Sequence, residues 1–200
     1  MANSQAIQTT DNSYKDYWFW QRDSSPDLIA RYPNLDLKGK DVLDIGCGIG
    51  GRTCYLGGQG ARHVVGCDIN SREIETTENL KRELAPELKD KVVFSCNQTE
   101  QIGLGKIKFD LVLIIDAMEY IKEPSLMPEQ AYRLLKPGGK LNFGAVGWGH
   151  WHATHMLRIF PVSFMRLFFS DKTILNTARR MMKQEFYKSR TWDSNPPCLR

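Results

Sequence analysis

The chain has 200 residues, 42% of them apolar and 25% charged, with a net charge of +4. This suits one soluble globular domain, or one with a small appendage, and excludes a disordered polar chain or a membrane span of ~20 apolar residues. Five cysteines without a CxxC pair exclude a disulfide framework and a zinc ribbon, and fit a reducing compartment.

In chain order, the first 13 residues are polar and are expected to form a disordered tail with no signal peptide. "YKDYWFWQRDSSPDLIARYP" predicts one or two helices with aromatic faces, broken at Pro26 and Pro33. "DVLDI" (41–45) predicts a strand running into the glycine cluster "GCGIGG", where a helix begins that ends at Gly58 to Gly60. "HVVGCDI" (63–69) predicts a second strand. A helix follows with Ile74, Leu80 and Leu84 on one face and Ser71 as N-cap. "KVVFSC" (91–96) is a third strand, and "FDLVLIIDAM" (109–118), nearly all apolar, a central strand buried on both faces. "MPEQAYRLLKPGG" reads as a helix halted by Pro137, followed by a fifth strand over 140–147. Strands alternating with helices predict an α/β fold, a Rossmann-like doubly wound, mostly parallel sheet. After residue 148 the pattern turns helical, aromatic and basic, with 9 Lys and Arg against 3 Asp and Glu over 156–200. This segment is expected to be a helical lid of the same domain. Its charge is read as a solvated helical surface, and nothing in it argues for nucleic acid.

The glycine cluster sits between a strand and a helix, where backbone turns sharply and can approach a ligand closely. Gly46, Gly48 and Gly51 satisfy GxGxxG, and Asp68 closes the next strand as a ribose partner would, so spacing alone leaves a dinucleotide reading open. The surroundings point elsewhere. "VLDIGCGIGG", "VVGCDIN", "FSCNQTEQI", "FDLVLIIDAMEYI" and "LLKPGGKLNF" resemble, in order, the five motifs of class I S-adenosylmethionine-dependent methyltransferases. The resemblance implies S-adenosyl-L-methionine as cofactor and a site of Asp44, Gly46, Cys47, Gly48, Gly50, Asp68, Ile69, Asn97, Gln98, Asp116 and Ala117. Asp44 would lie near the methionine ammonium, and Asp68 would accept both ribose hydroxyls. Ile69 would touch the adenine face, with Asn97, where the family usually has Asp, beside the adenine amino group. Asp116 and Ala117 would border the sulfonium. Tyr120 stands where a histidine is common in the family.

Three of the four histidines lie in "HWHATH", residues 150–155. They permit a metal site, an acid/base centre or part of a lid. The stretch resembles an "HPxxH" segment of small-molecule members of the family. HxHxxH lacks an HExxH-type signature, so no metal is expected. His155 and His152, spaced to share one helix face, are the expected catalytic or acceptor-contacting pair. His150 reads as a solvated loop residue, and Phe160, Phe164, Phe168 and Phe169 as a lid core.

The expected organisation is a tail over 1–13, a cofactor-binding domain over 14–147 and the lid over 148–200. The resemblance implies a seven-stranded sheet, of which the last hairpin has no counterpart here, so a truncated chain is expected. The expected activity is cytoplasmic O- or N-methylation of a small molecule. Alternatives are an inactive cofactor-binding remnant, a peripheral-membrane enzyme acting on a lipid or quinone, and a NAD-type oxidoreductase.

Overall fold

A computed structural model of the chain describes residues 2–32, 35–96, 107–118, 121, 124–144 and 168–182. It divides into two compact units, residues 1–118 with 122–144, and 119–121 with 145–200. The first unit carries helix α1 (Ala2–Ile29), strand β1 (Asp41–Ile45), helix α2 (Gly51–Gly58), strand β2 (His63–Asp68) and helix α3 (Ser71–Leu84). Strands β3 (Val92–Cys96) and β4 (Phe109–Ile115), helix α4 (Met127–Leu134) and strand β5 (Leu135–Gly144) complete it. In the second unit helix α5 (Asp171–Met182) is described, with the Ser170 hydroxyl accepting from the Thr173 backbone N–H at its start.

The five strands form one parallel sheet in the order β3-β2-β1-β4-β5. The order reverses between β1 and β4, which opens a crevice at their carboxyl ends. Right-handed crossovers running in opposite directions place α2 and α3 on one face and α4 on the other. The period of two along each strand separates two cores. Val42, Val64, Val92, Leu111, Leu113 and Ile115 join Trp18 of α1, Leu56 of α2 and Ile74 and Leu80 of α3 in one cluster. The intervening Leu43, Val112 and Ile114, like Met127 and Ala131 of α4, are buried outside that cluster. The uninterrupted apolar run of β4 is buried on both faces, as its sequence predicts.

The structure corrects four boundaries. Helix α1 begins at Ala2, inside the expected tail, and passes Pro26 to end at Ile29. Proline lacks a donor, and here Ser24 and Ser25 return their hydroxyls to the carbonyls of Trp20 (2.7 Å) and Gln21 (2.6 Å), so the last turns keep side-chain bonds. The N-cap of α3 is Asn70, not Ser71, its side chain accepting from the Glu73 N–H at 3.4 Å. Strand β5 starts at Leu135, five residues before the expected position. Phe109 pairs with Leu135 and Leu111 with Lys140, so the "KPGG" turn bulges out of a continuing strand. Gly138, at φ 77°, supplies the left-handed residue that this bulge needs. Phe168 and Phe169, expected in a lid core, are 75% and 54% exposed, because they sit in the turn ahead of α5. Among the described residues no sixth or seventh strand occurs, and β5 forms one edge of the sheet.

Candidate active site

Strand β1 delivers Asp44 and then the turn Gly46-Cys47-Gly48 to the crevice at the carboxyl edge. Amides of Gly46 and Cys47 both donate to the Cys67 carbonyl at the end of β2, at 2.8 and 3.1 Å, which fixes the turn against its neighbour strand. Gly46 has φ 74°, and a Cβ there would overlap the Ala117 Cβ just beyond β4. Only glycine lets the ends of β1 and β4 meet this closely. Gly48 and Gly50 also take positive φ, and Gly50 is the N-cap of α2 with no side-chain cap of its own.

Asp68 is the turn's second anchor. Its Oδ2 accepts from the Gly48 N–H at 3.0 Å and its Oδ1 from the Asn70 N–H at 3.1 Å. Each oxygen keeps further lone-pair capacity for hydroxyls of a ligand. Ile69, next along, is 69% exposed and offers an apolar surface at the rim. The Thr77 hydroxyl of α3 donates to the Gly48 carbonyl at 3.1 Å, closing the far side of the loop.

Asp44 is fully buried. Its Oδ2 accepts from the Thr53 hydroxyl at 2.7 Å, whereas Oδ1 has no hydrogen-bond partner among the described residues. Burial pushes its pKa up, and the Arg52 charge and the Thr53 bond pull against that. Cys47 is fully buried, and loss of water, reinforced by Asp44 and Asp68, pushes its thiol well above the ordinary range. It is therefore a neutral packing group and no nucleophile.

Beyond β4, Asp116 is exposed and holds φ 53°, a left-handed backbone that a short polar residue tolerates better than others. Its N–H donates to the Gly144 carbonyl at 2.8 Å, tying the ends of β4 and β5 together. The Tyr32 hydroxyl lies against Gly144, where a Cβ would meet it. Burial and then the Asp116 charge raise the Tyr32 pKa, so the phenol stays protonated and can donate.

Two residues at this site were not expected from the sequence. Gln21 of α1 is 8% exposed and its Oε1 accepts from the Gly51 N–H at 3.1 Å, capping α2 in place of the side chain that Gly50 lacks. Arg52, 7% exposed in the first turn of α2, leaves Nε without a partner among the described residues. The apolar-aromatic stripe of α1 signals a packed helix, but its register over the glycine turn is a long-range contact that no local pattern encodes. Of the expected residues, the structure brings together Asp44, Gly46, Cys47, Gly48, Gly50, Asp68, Ile69, Asp116 and Ala117. Asn97, Gln98, Tyr120, His150, His152 and His155 lie outside the described residues, as do Phe160 and Phe164.

Comparison with known proteins agrees with this geometry. Residues 43–143 match the family model described as a methyltransferase domain. A ubiquinone biosynthesis O-methyltransferase of Coxiella burnetii is 31% identical over 112 residues, covering 56% of this chain and 46% of that protein. The methyltransferase GfsG of Streptomyces halstedii is 28% identical over 142 residues, covering 66% of this chain and 50% of its own. The crystal structure of the [4+2]-cyclase SpnF superposes with a TM-score of 0.52 at 26% identity, over 62% of this chain and 47% of that one. The chain thus spans about half the length of the curated relatives it matches. With half of the chain, residues 43–143, matching this model, the chain belongs to the methyltransferase domain family.

Proposed function

We propose that this protein transfers a methyl group from S-adenosyl-L-methionine to an oxygen or nitrogen of a small-molecule acceptor. The observation that carries the reading is the crevice at the β1/β4 switch point: a turn that only glycine can make, flanked by a buried carboxylate with one oxygen unpartnered among the described residues. These residues fit the cofactor. The unpartnered Oδ1 of Asp44 would accept from its ammonium, the spare lone pairs of Asp68 would take its ribose hydroxyls, and Ile69 would lie on its adenine. Two relatives with methyltransferase names support the reaction class. SpnF, by its title a [4+2]-cyclase, is a reminder that the fold alone does not assign methyl transfer.

When bound, the cofactor supplies an electrophilic methyl on a sulfonium. The protein's part in such an in-line displacement is to hold both partners aligned and exclude water. Gly46 and Ala117 form the floor where the ends of β1 and β4 meet. Asp116 stands at the rim, and the Tyr32 hydroxyl lies beside Gly144 at the same edge. In this reading His152 and His155 would serve as base where the acceptor must lose a proton.

Among the described residues no helix is long and apolar enough to cross a membrane. Cys47, Cys54, Cys67 and Cys96 are all free thiols, which suits a reducing cytoplasm. Calorimetry with S-adenosylhomocysteine and with NADH tests the cofactor, and binding of NADH alone would overturn it. A methyl-transfer assay over phenolic, hydroxyl and amine acceptors, repeated with His155→Ala and His152→Ala, tests the reaction and the roles of the two histidines. Cofactor binding without transfer to any acceptor class would favour the inactive remnant.

A further inference from the structure

Two polar side chains on one face of β5 find no partner in the fold. Residues in register on neighbouring parallel strands point to the same side. Asn142 and Gly144 pair with Leu113 and Ile115, so they face the cluster that α1, α2 and α3 cover. Asn142 is half-buried, and its amide Nδ2 is shut off from water with no hydrogen bond among the described residues. At the end of the strand the Tyr32 hydroxyl approaches Gly144 so closely that a Cβ there would overlap it. A turn after α1 holds Tyr32 in place: its N–H donates to the Ile29 carbonyl at 2.9 Å, and its carbonyl accepts from the Leu35 N–H at 3.0 Å. The Tyr32 hydroxyl, too, makes no hydrogen bond among the described residues. All of these residues belong to the first unit.

A buried donor without a partner weakens a fold, and a ligand that completes the bond recovers the loss. Here two donors stand two residues, or about 7 Å, apart along the carboxyl half of β5. Asp116 joins them at the rim, because its N–H donates to the Gly144 carbonyl at 2.8 Å, and it adds a negative charge there. Burial and that charge keep the phenol protonated and hence a donor. Strand β5 lies two places from β1 and three from β2 in the sheet, away from the glycine turn and Asp68. We propose that Tyr32 and Asn142 are the specificity residues of the acceptor subsite: they donate to oxygen atoms of a neutral acceptor bearing carbonyl or hydroxyl groups, and Asp116 turns carboxylate-bearing acceptors away. This rests on the methyl-transfer reading. Glycine at 144 is part of the device, since any side chain there would displace the phenol.

The full chain, saturated with S-adenosylhomocysteine, is titrated in a calorimeter with three probes of one shape. They are 3,4-dihydroxyacetophenone, a neutral ketone; 3,4-dihydroxybenzoate, a carboxylate; and 4-ethylcatechol, with no oxygen at that place. The wild type is expected to bind the ketone about fivefold or more tighter than either of the others. Tyr32→Phe and Asn142→Leu should each weaken the ketone about threefold to tenfold, and leave 4-ethylcatechol and S-adenosylhomocysteine within about twofold. Asp116→Asn should narrow the gap between ketone and carboxylate. Asn142→Leu should also unfold at an equal or higher urea concentration, because it sheds an unpaired buried amide. A lower one would make Asn142 a structural residue and overturn its role. Equal binding of the three probes by the wild type, or binding of none, overturns the subsite while the cofactor reading stands, as does a loss in both variants shared by all three. Failure to bind S-adenosylhomocysteine overturns both. Should Asn142→Leu not fold, as judged by circular dichroism, the wild-type comparison and Tyr32→Phe still decide.

Discussion

Strand β1 carries two aspartates three residues apart, and the sheet puts them to opposite uses. Asp41, at the amino edge, is partly exposed and is met by three basic side chains. Arg62 forms a two-pronged bond to it, His63 Nδ1 lies 3.1 Å away, and Lys136 Nζ bridges it at 2.7 Å to Asp110, itself 2.8 Å from that ammonium. The Arg62 bond, joined by those of Lys136 and His63, holds its pKa far below the usual carboxylate range, although desolvation, second only to the Arg62 bond, pulls the other way. Asp44, at the carboxyl edge, has one hydroxyl partner, no direct ion pair among the described residues and a raised pKa. One end of the strand is electrostatically saturated and the other is left short. A deficit in a buried place is what a binding site requires, whereas a saturated surface network serves only the fold.

The severest way to break the carboxyl edge is to fill it. Gly46→Ala forces a left-handed alanine and an overlap with the Ala117 Cβ. It should cost about 2–4 kcal/mol, read by urea denaturation, and abolish S-adenosylhomocysteine binding in calorimetry. A stable variant that still binds would show that the crevice at Gly46 is not the cofactor seat.

Asp44→Asn separates the two ends more finely. A buried acid with a raised pKa weakens the fold as pH climbs above its unfolded value of about 3.9. The amide removes that penalty and can still accept from Thr53. Stability at pH 7 should therefore equal or exceed the wild type, and the difference should fade toward pH 4 and below. Ligand affinity should fall by about tenfold or more. Loss of stability together with unchanged affinity would make Asp44 a structural residue.

The same contrast shows what the sequence could and could not reveal. The strands were legible because parallel strands buried on both faces are continuous apolar runs, and β4 is the clearest case. The site glycines and Asp68 were legible because their spacing follows a strand-turn-helix pattern, and Asp44 because the motif around it resembles the family's first. The difference between Asp41 and Asp44 was not, since it depends on Lys136, 95 residues away, and on burial that only the folded sheet creates. Gln21 and Arg52 escaped for a like reason: a helix sequence states which face is apolar, not which turn that face will roof. The early start of β5 was hidden by "KPGG", which locally signals a stop although pairing resumes past the bulge.

At the amino edge, Asp41→Asn should cost about 0.5–1 kcal/mol at pH 7, a small figure because Arg62 is 54% and Lys136 31% exposed in these pairs. With its folded pKa depressed, Asp41 contributes fully above its unfolded value near ~3.9 and loses that contribution as pH falls toward the folded one. Urea titrations at pH 7 and pH 3 should show the gap to wild type shrinking in acid and in high salt. Affinity for S-adenosylhomocysteine should not move. If it falls as it does for Asp44→Asn, the division of the strand into a structural and a binding end is wrong.

The smallest expected effect tests whether the rim of the site can be loosened without touching its anchors. Asn70 joins both roles: its backbone N–H donates to Asp68, and its side chain caps α3 through a long bond of 3.4 Å. Asn70→Ala keeps the first and removes the second. A cap this stretched sits at the low end of its usual worth, so the loss should be about 0.5 kcal/mol by denaturation. Affinity should hold within about twofold, because Asp68 keeps both backbone donors. A larger drop in affinity than in stability would mean that the Asn70 side chain itself meets the ribose, extending the binding surface from β2 onto the start of α3.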